Sequence, residues 1–357
     1  MLRELSRRIK PVFYLERAMG NRFNEKDTPE ISVIIPVFNS GGTIEACLES
    51  IFASDYERYE VIVIDNGSRD GTAELAGNFP CTVLVLDSNR GAAYARNYGA
   101  ARARGDVLVF LDSDVVVGKN TLALLRAGLS GKEAVAIGGI YSPLPKGRGL
   151  VTMYKNFYCH YVAVKTAVPA NYFSTSCGGV YKTVFSRLGG FRDKFTKAGG
   201  EDIDFGYRLV ARGYKTIRDK GIQVVHQKAY SFAGLIKNDC LRAREWIKIL
   251  LEEKLLRRGK FFKNEADVSN AAIVSVLIAW AVVFSAMLIS VNILYFPASI
   301  FFLCCFAIAN KGFLGFVYSQ QGMLFALSAG MLYFLCLLAG SIGGIVGLVE
   351  YAVLKRT

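Results

Sequence analysis

The sequence predicts an α/β domain with a Rossmann-like, mostly parallel sheet, followed by an α-helical membrane domain. Up to Leu111, short apolar runs alternate with stretches of helical spacing, the pattern of strands joined by helices. The runs are continuously apolar, as strands covered on both faces require. From Ala271 to Leu354 the chain is almost free of charge, with Lys311 and Glu350 the exceptions. Mean hydropathy is +0.29 and 52% of the 357 residues are hydrophobic, too apolar for an ordinary soluble enzyme.

Residues 1–29 form a basic segment, with Arg3, Arg7, Arg8, Lys10 and Arg17 among Leu2, Leu5, Ile9 and Phe13. It reads equally as an interfacial helix or a frayed terminus. No long apolar core follows Arg8 before Asn21, so no cleaved leader is expected. The main domain is expected over 30–230. Ile31–Pro36 is a buried strand stopped by proline, and Gly41–Ala53 has helical spacing. Val61–Ile64 is a strand ended by Asp65, Thr72–Phe79 a helix and Thr82–Leu86 a strand. Gly91–Arg104 is an Ala/Arg-rich helix, and Val107–Leu111 a strand ended by Asp112. Further strands are expected at Ala134–Ile140, Lys215–Ile217 and Ile222–Val225, with a helix over Gly200–Arg212. Residues 141–173 have no clear period.

Each early strand ends in polar or turn-forming residues: Pro36–Asn39, Asp65–Asp70, Asp87–Gly91 and Asp112–Asp114. In open α/β sheets, ligands bind beyond the carboxyl ends of the strands. Asp112 and Asp114 are two carboxylates delivered by one buried strand, which suits a hard cation such as Mg²⁺ or Mn²⁺. Such an ion bridges a nucleotide diphosphate and stabilises it as a leaving group. The competing reading is a capped strand end. The net charge of +13 fits an anionic partner, either a phosphorylated substrate or an acidic membrane face. No basic stretch interleaved with aromatics suggests nucleic acid. The eight cysteines form no Cys-x-x-Cys pair, so neither a zinc site nor a disulfide framework is expected.

Residues 231–265 continue as a basic amphipathic region. Phe232, Leu235, Ile236, Cys240, Ala243 and Ile247 mark its apolar face, with Lys237, Arg242, Arg244 and Lys248 elsewhere. It is expected on the anionic leaflet, or else against the soluble domain. Residues 266–357 are expected to supply three crossings, at about 270–294, 295–316 and 323–353. Lys254, Arg257, Arg258, Lys260 and Lys263 place the first flank, and the main domain, in the cytoplasm. Three crossings leave Lys355 and Arg356 outside, against that rule, whereas two crossings with a re-entrant middle restore it.

Several motifs in order resemble an inverting glycosyltransferase of family 2 with the GT-A fold. They are Val33-Ile34-Ile35-Pro36-Val37-Phe38-Asn39, Ile64-Asp65-Asn66-Gly67-Ser68, Asn89-Arg90-Gly91 with Ala95-Arg96-Asn97, Leu111-Asp112-Ser113-Asp114, Gly189-Gly190-Phe191 and Gly200-Glu201-Asp202-Ile203-Asp204. The resemblance covers about 31–228. It implies a nucleotide-sugar donor held by Pro36, Val37, Asn39, Asp65, Asn89, Gly91, Arg96 and Asp112. It implies a divalent cation bound by Asp112 and Asp114, with His226 a candidate third ligand. It implies Asp202 as catalytic base with Glu201 beside it. Gly178, Gly179 and Tyr181 are offered as the acceptor side. Where relatives carry a second Asp, this chain has Asn66, which leaves the base open. The expected function is a membrane-bound transfer of sugar to a hydroxyl of a lipid-linked or cell-envelope glycan. Alternatives are a polyprenyl-phosphate sugar synthase and an inactive sugar-nucleotide-binding scaffold.

Overall fold

The computed structural model describes residues 14–15, 28–130, 134–165, 173–193, 200–252 and 270–354. The basic stretch before Tyr14 and the cluster Lys254–Lys263 lie outside the described residues. The chain divides into two compact units, Met1–Ser142 with Val168–Gln227, and Pro143–Ala167 with Lys228–Thr357.

The first unit is built on a nine-stranded mixed sheet in the order β1-β4-β3-β2-β5-β8-β7-β9-β6. Its strands are β1 (Tyr14–Leu15), β2 (Ile31–Val37), β3 (Tyr59–Asp65), β4 (Thr82–Val85), β5 (Val107–Leu111), β6 (Val115–Val117), β7 (Ala134–Tyr141), β8 (Cys177–Tyr181) and β9 (Lys215–His226). The strands β4-β3-β2-β5 run parallel, as the continuous apolar runs predict. Beyond β5 the sheet is less regular than expected: β8 is antiparallel to both neighbours, and β6 returns antiparallel on β9. The two strands expected at Lys215–Ile217 and Ile222–Val225 are one strand, β9, which pairs with β7 across two register shifts.

Helices α1 (Ile44–Phe52), α2 (Thr72–Ala76), α3 (Ala92–Ala100), α4 (Thr121–Ser130), α6 (Lys182–Arg187) and α7 (Glu201–Ala211) belong to this unit. Ile31, Ile34, Ile35, Ile44, Leu48 and Phe110 are fully buried, each contributing about 1.5–3 kcal/mol by leaving water. A second core of aromatic rings joins Phe110, Phe173, Phe185, Phe191 and Phe205, with centroids 5.1–5.3 Å apart for the closest pairs. It packs the start of α7 against β5.

The second unit is helical: α5 (Leu150–Lys165), α8 (Phe232–Glu252), α9 (Asn270–Ile289), α10 (Phe296–Ala309) and α11 (Lys311–Leu354). Helix α5 falls in the stretch without an assigned period. Tyr154, Phe157, Tyr158 and Tyr161 line one of its faces, against Phe313, Phe316, Phe325 and Tyr333 of α11. Helix α11 is broken at Gly322, where φ is 79°, a conformation that L side chains rarely adopt. Phe313 and Tyr333 meet with centroids 5.4 Å apart, so the two segments fold back on each other. Helix α9, and α11 over Lys311–Val353, are long and apolar enough to cross a membrane. Helix α10 is 14 residues long.

Candidate functional site

Strands β2 and β5 are neighbours while their connections leave in opposite directions, toward β3 and toward β8. Ligands bind at such a switch in strand order, at the carboxyl ends. The loops there are knitted together by polar contacts. Asn39 takes φ 50°; its N–H donates to Ser68 Oγ at 2.9 Å and its Oδ1 accepts from the Arg69 N–H at 3.0 Å. The Asn66 N–H donates to the Val37 carbonyl at 2.9 Å, one residue beyond Pro36. Asp65 is buried at the end of β3, and its Oδ1 accepts from the Ser68 N–H at 2.9 Å. Asn89 Oδ1 accepts from Asn66 Nδ2 and from the Gly91 N–H, both at 2.9 Å. Asp70 ties two loops, accepting from the Gly41 N–H and the Thr72 hydroxyl. Those bonds hold its carboxyl below the usual aspartate range.

Arg96, on α3, is the buried centre of the acidic group. Its Nη1 donates to Glu201 Oε1 and its Nη2 to Asp112 Oδ1, both at 2.7 Å. The Arg96 side chain is 5% exposed, that of Glu201 4% and that of Asp112 32%. Glu201 is thus committed to the guanidinium, while Asp112 also reaches the cleft. Loss of hydration pushes the Asp112 carboxyl above the ordinary aspartate range; Asp114 and Asp202 push the same way and Arg96 opposes them. Arg96 Nε is buried without a hydrogen-bond partner.

Asp114 meets His226, with Oδ2 and Nε2 3.4 Å apart. Strand pairing brings them together, because β6 returns antiparallel on β9 with Val115 opposite His226. The imidazole stacks on Tyr141, centroids 4.5 Å apart. Next along, the Gln227 N–H donates to the Asp114 carbonyl at 2.7 Å, and Gln227 Nε2 donates to the Thr43 carbonyl at 3.2 Å. Gln227 was missed from the sequence, although its place beside His226 was the available signal. Among the described residues no group of three or more His, Cys, Asp or Glu side chains is arranged to hold a metal unaided. One carboxylate and one imidazole still suit a hard cation whose remaining ligands are phosphate oxygens and water.

Asp202 sits in the first turn of α7, where its Oδ1 accepts from the Ile203 N–H at 2.8 Å. Acids in a first turn are favoured by the helix dipole. Asp204 is buried and pairs with Arg192 and Arg208, both at 2.8 Å. Arg208 also donates to the Leu188 and Gly190 carbonyls. Asn97 grips Phe191 from the other side, donating to its carbonyl at 2.7 Å and accepting its N–H at 2.9 Å. The Gly-Gly-Phe motif is therefore an anchor that fixes the start of α7. Asp202 follows Glu201 directly, and Glu201 shares Arg96 with Asp112, so the start of α7 adjoins the end of β5.

Tyr181 does not belong there. Strand β8 runs antiparallel to β5, with Cys177 opposite Leu111 and Tyr181 opposite Val107. Tyr181 therefore lies at the end of the sheet away from Asp112, and its hydroxyl donates to the Leu129 carbonyl at 3.2 Å. Gly178 and Gly179 are interior to the sheet, opposite Phe110 and Val109. The acceptor side expected of these residues is corrected accordingly. Burial pushes the thiols of Cys47 and Cys177 up to about 12, which leaves them inert.

Residues 32–189 match the model for glycosyl transferase family 2, and residues 155–230 match that for the N-terminal domain of galactosyltransferase. Glycosyltransferase AglE of Haloferax volcanii is 35% identical over 137 residues, covering 36% of this chain and 45% of the relative. Glycosyltransferase GlyG of Streptococcus pneumoniae is 34% identical over 118 residues, covering 31% and 39%. The chain thus spans less than half the length of these curated relatives. The structure of the mannosyltransferase PcManGT from Pyrobaculum calidifontis, in complex with GDP-Man and Mn²⁺, aligns with a TM-score of 0.55 at 21% identity. It covers 93% of this chain and 91% of that one, a likeness of fold.

Proposed function

We propose that this chain, whose residues 32–189 match the model for glycosyl transferase family 2, transfers a sugar from a nucleotide-diphosphate donor to a hydroxyl acceptor with inversion. The observation that carries the proposal is Arg96 bridging Asp112 to Glu201, the chain neighbour of Asp202, with Asp114 beside His226.

The knitted loops around Asn39, Asp65 and Asn89 cradle the nucleotide. The buried Asp65 carboxylate accepts an N–H of the base. Asp114 and His226 would hold a divalent cation together with the donor's phosphates, Asp112 facing the same ion or the ribose with the oxygen Arg96 leaves open. Such a cation, when bound, neutralises the charge that develops on the departing diphosphate. Arg96 Nε, lacking a protein acceptor, takes a water or a ligand oxygen. Asp202 takes the proton of the attacking hydroxyl. Glu201, held by Arg96, keeps the first turn of α7 in place beside Asp112.

An ionised phosphate acceptor needs little help from a base, so the Asp202 carboxylate supports a hydroxyl acceptor over a polyprenyl phosphate. The apolar helices α9 and α11 support a membrane location, and they support an acceptor drawn from lipid-linked or envelope glycans. The basic juxtamembrane sequence supports the cytoplasmic face. The test is release of nucleoside diphosphate by the full chain across a panel of nucleotide sugars with Mg²⁺ or Mn²⁺. Turnover of one or a few donors, lost with chelator, is expected. No turnover and no nucleotide binding across the panel favours a scaffold.

A further inference from the structure

Helix α8 is too charged to enter a bilayer. From Lys237 to its last residue it carries Lys237, Asp239, Arg242, Arg244, Glu245, Lys248 and Glu252. Yet it lies lengthwise against the end of α11, a helix apolar enough to cross a membrane. Rising numbers on one helix meet rising numbers on the other. Cys240 backbone touches Gly343, and the Arg244 carbonyl touches Gly347, each so closely that no Cβ fits. Farther along, Glu350 is gripped by Arg244 at 2.5 Å and by Lys248 at 2.6 Å. The lone acid of this apolar stretch is therefore bonded to α8. Upstream, Asp239 of α8 is paired with the buried Lys155 of α5.

Helices α9 and α10 touch α11 differently. Their contacts with it lie toward the start of α9 and the end of α10: Trp280 Nε1 donates to Ser341 Oγ at 3.0 Å, and Phe306 meets Tyr333 and Phe334. The other end is bare and apolar, with Met287 63% exposed, Val291 78% and Phe301 62%. On α11, the glycines at 340, 343 and 347 face α8, while Ile342, Ile345, Val349 and Val353 form an exposed apolar stripe at helical spacing.

We infer that α8 and the segment of α11 after Ser341 lie in the plane of an anionic lipid leaflet, and that only the α9–α10 hairpin enters the bilayer. A segment that crossed would carry the charges of α8 into the hydrocarbon alongside it, where such groups are strongly disfavoured. Lying flat, the stripe from Ile342 to Val353 sinks to the acyl boundary and the exposed Lys237 and Arg242 of α8 meet lipid phosphates. The hairpin begins and ends on one side, whether it spans or dips. The residues after α11 therefore share a side with those before α9, which also keeps Lys355 and Arg356 where basic residues are favoured. This rests on the membrane location proposed above.

The chain has two tryptophans, Trp246 on α8 and Trp280 on α9. In vesicles of phosphatidylglycerol brominated at defined acyl carbons, the full-length Trp280→Phe variant reports on Trp246 alone. Bromines near the headgroup are expected to quench it several-fold more than bromines near the midplane. In sealed vesicles of the otherwise unaltered chain, a protease site placed between α8 and α9 and a tag following Thr357 are expected on the same side. Strongest quenching from the midplane, or a tag on the opposite side, overturns the inference and leaves the membrane location standing. Failure to float with vesicles at all overturns both.

Discussion

Replacing Asp202 with Asn is expected to slow sugar transfer by about 10²–10⁴-fold, the usual worth of a positioned general base. Nucleoside diphosphate binding should be unchanged, because the loops after β2, β3 and β4 are tied together by Asn39, Asp65, Asn66 and Asn89. The substitution keeps an oxygen that can accept the Ile203 N–H, so the first turn of α7 should keep its geometry. What it removes is the basicity that the proposed mechanism uses to take the acceptor proton. Steady-state kinetics checks this: kcat falls while donor KM stays near the wild-type value. Unimpaired transfer would remove Asp202 as base. Loss of nucleotide binding together with transfer would make its role structural.

Arg96→Met is expected to destabilise the first unit by about 3–5 kcal/mol, because it leaves two carboxylates facing one another around an uncompensated site. Glu201 is the more damaging of the two, being almost wholly buried. Arg96→Lys restores the charge but cannot span both acids with a fixed fork, so it should recover only part of the loss. Denaturant melts at several pH values separate charge from packing. Asp112 has a raised pKa in the folded chain, so its contribution to stability is fully present below the unfolded aspartate value and is lost as pH rises through the folded one. Removing Arg96 raises that pKa further, and the Arg96→Met deficit should shrink in acid, where the carboxylates are protonated. A deficit independent of pH would point to lost packing alone.

Much of the site was legible because it hangs on strand ends. Asp65, Asp112 and Asp114 follow apolar runs that can only be buried strands, and such strands place the next residues at the carboxyl edge. The pairing of Arg96 with Glu201 was not legible, since 105 residues separate them and only the finished sheet makes them neighbours. Tyr181 failed for a related reason: the residues of β8 read as a strand, but their direction does not show in the sequence. Helix α5 carried the right spacing, Tyr154, Phe157, Tyr158 and Tyr161. Its buried face is aromatic and belongs to the other unit, so the surrounding α/β pattern hid it. Asp204 and the Gly-Gly-Phe motif were matched only as parts of the family pattern; they form an anchor, Asp204 paired with Arg208 one turn along α7 and Phe191 bonded to Asn97 of α3.

The proposed convergence of Asp112, Asp114 and His226 on a nucleotide diphosphate is tested most directly by calorimetric titration of uridine and guanosine diphosphates into the full chain. The titration is run with and without Mn²⁺, in the wild type and in Asp114→Asn. One diphosphate should bind the wild type, more tightly with Mn²⁺ than without it, and Asp114→Asn should lose that gain. Binding that ignores the ion, or an Asp114→Asn protein that keeps the full effect of Mn²⁺, would contradict the account.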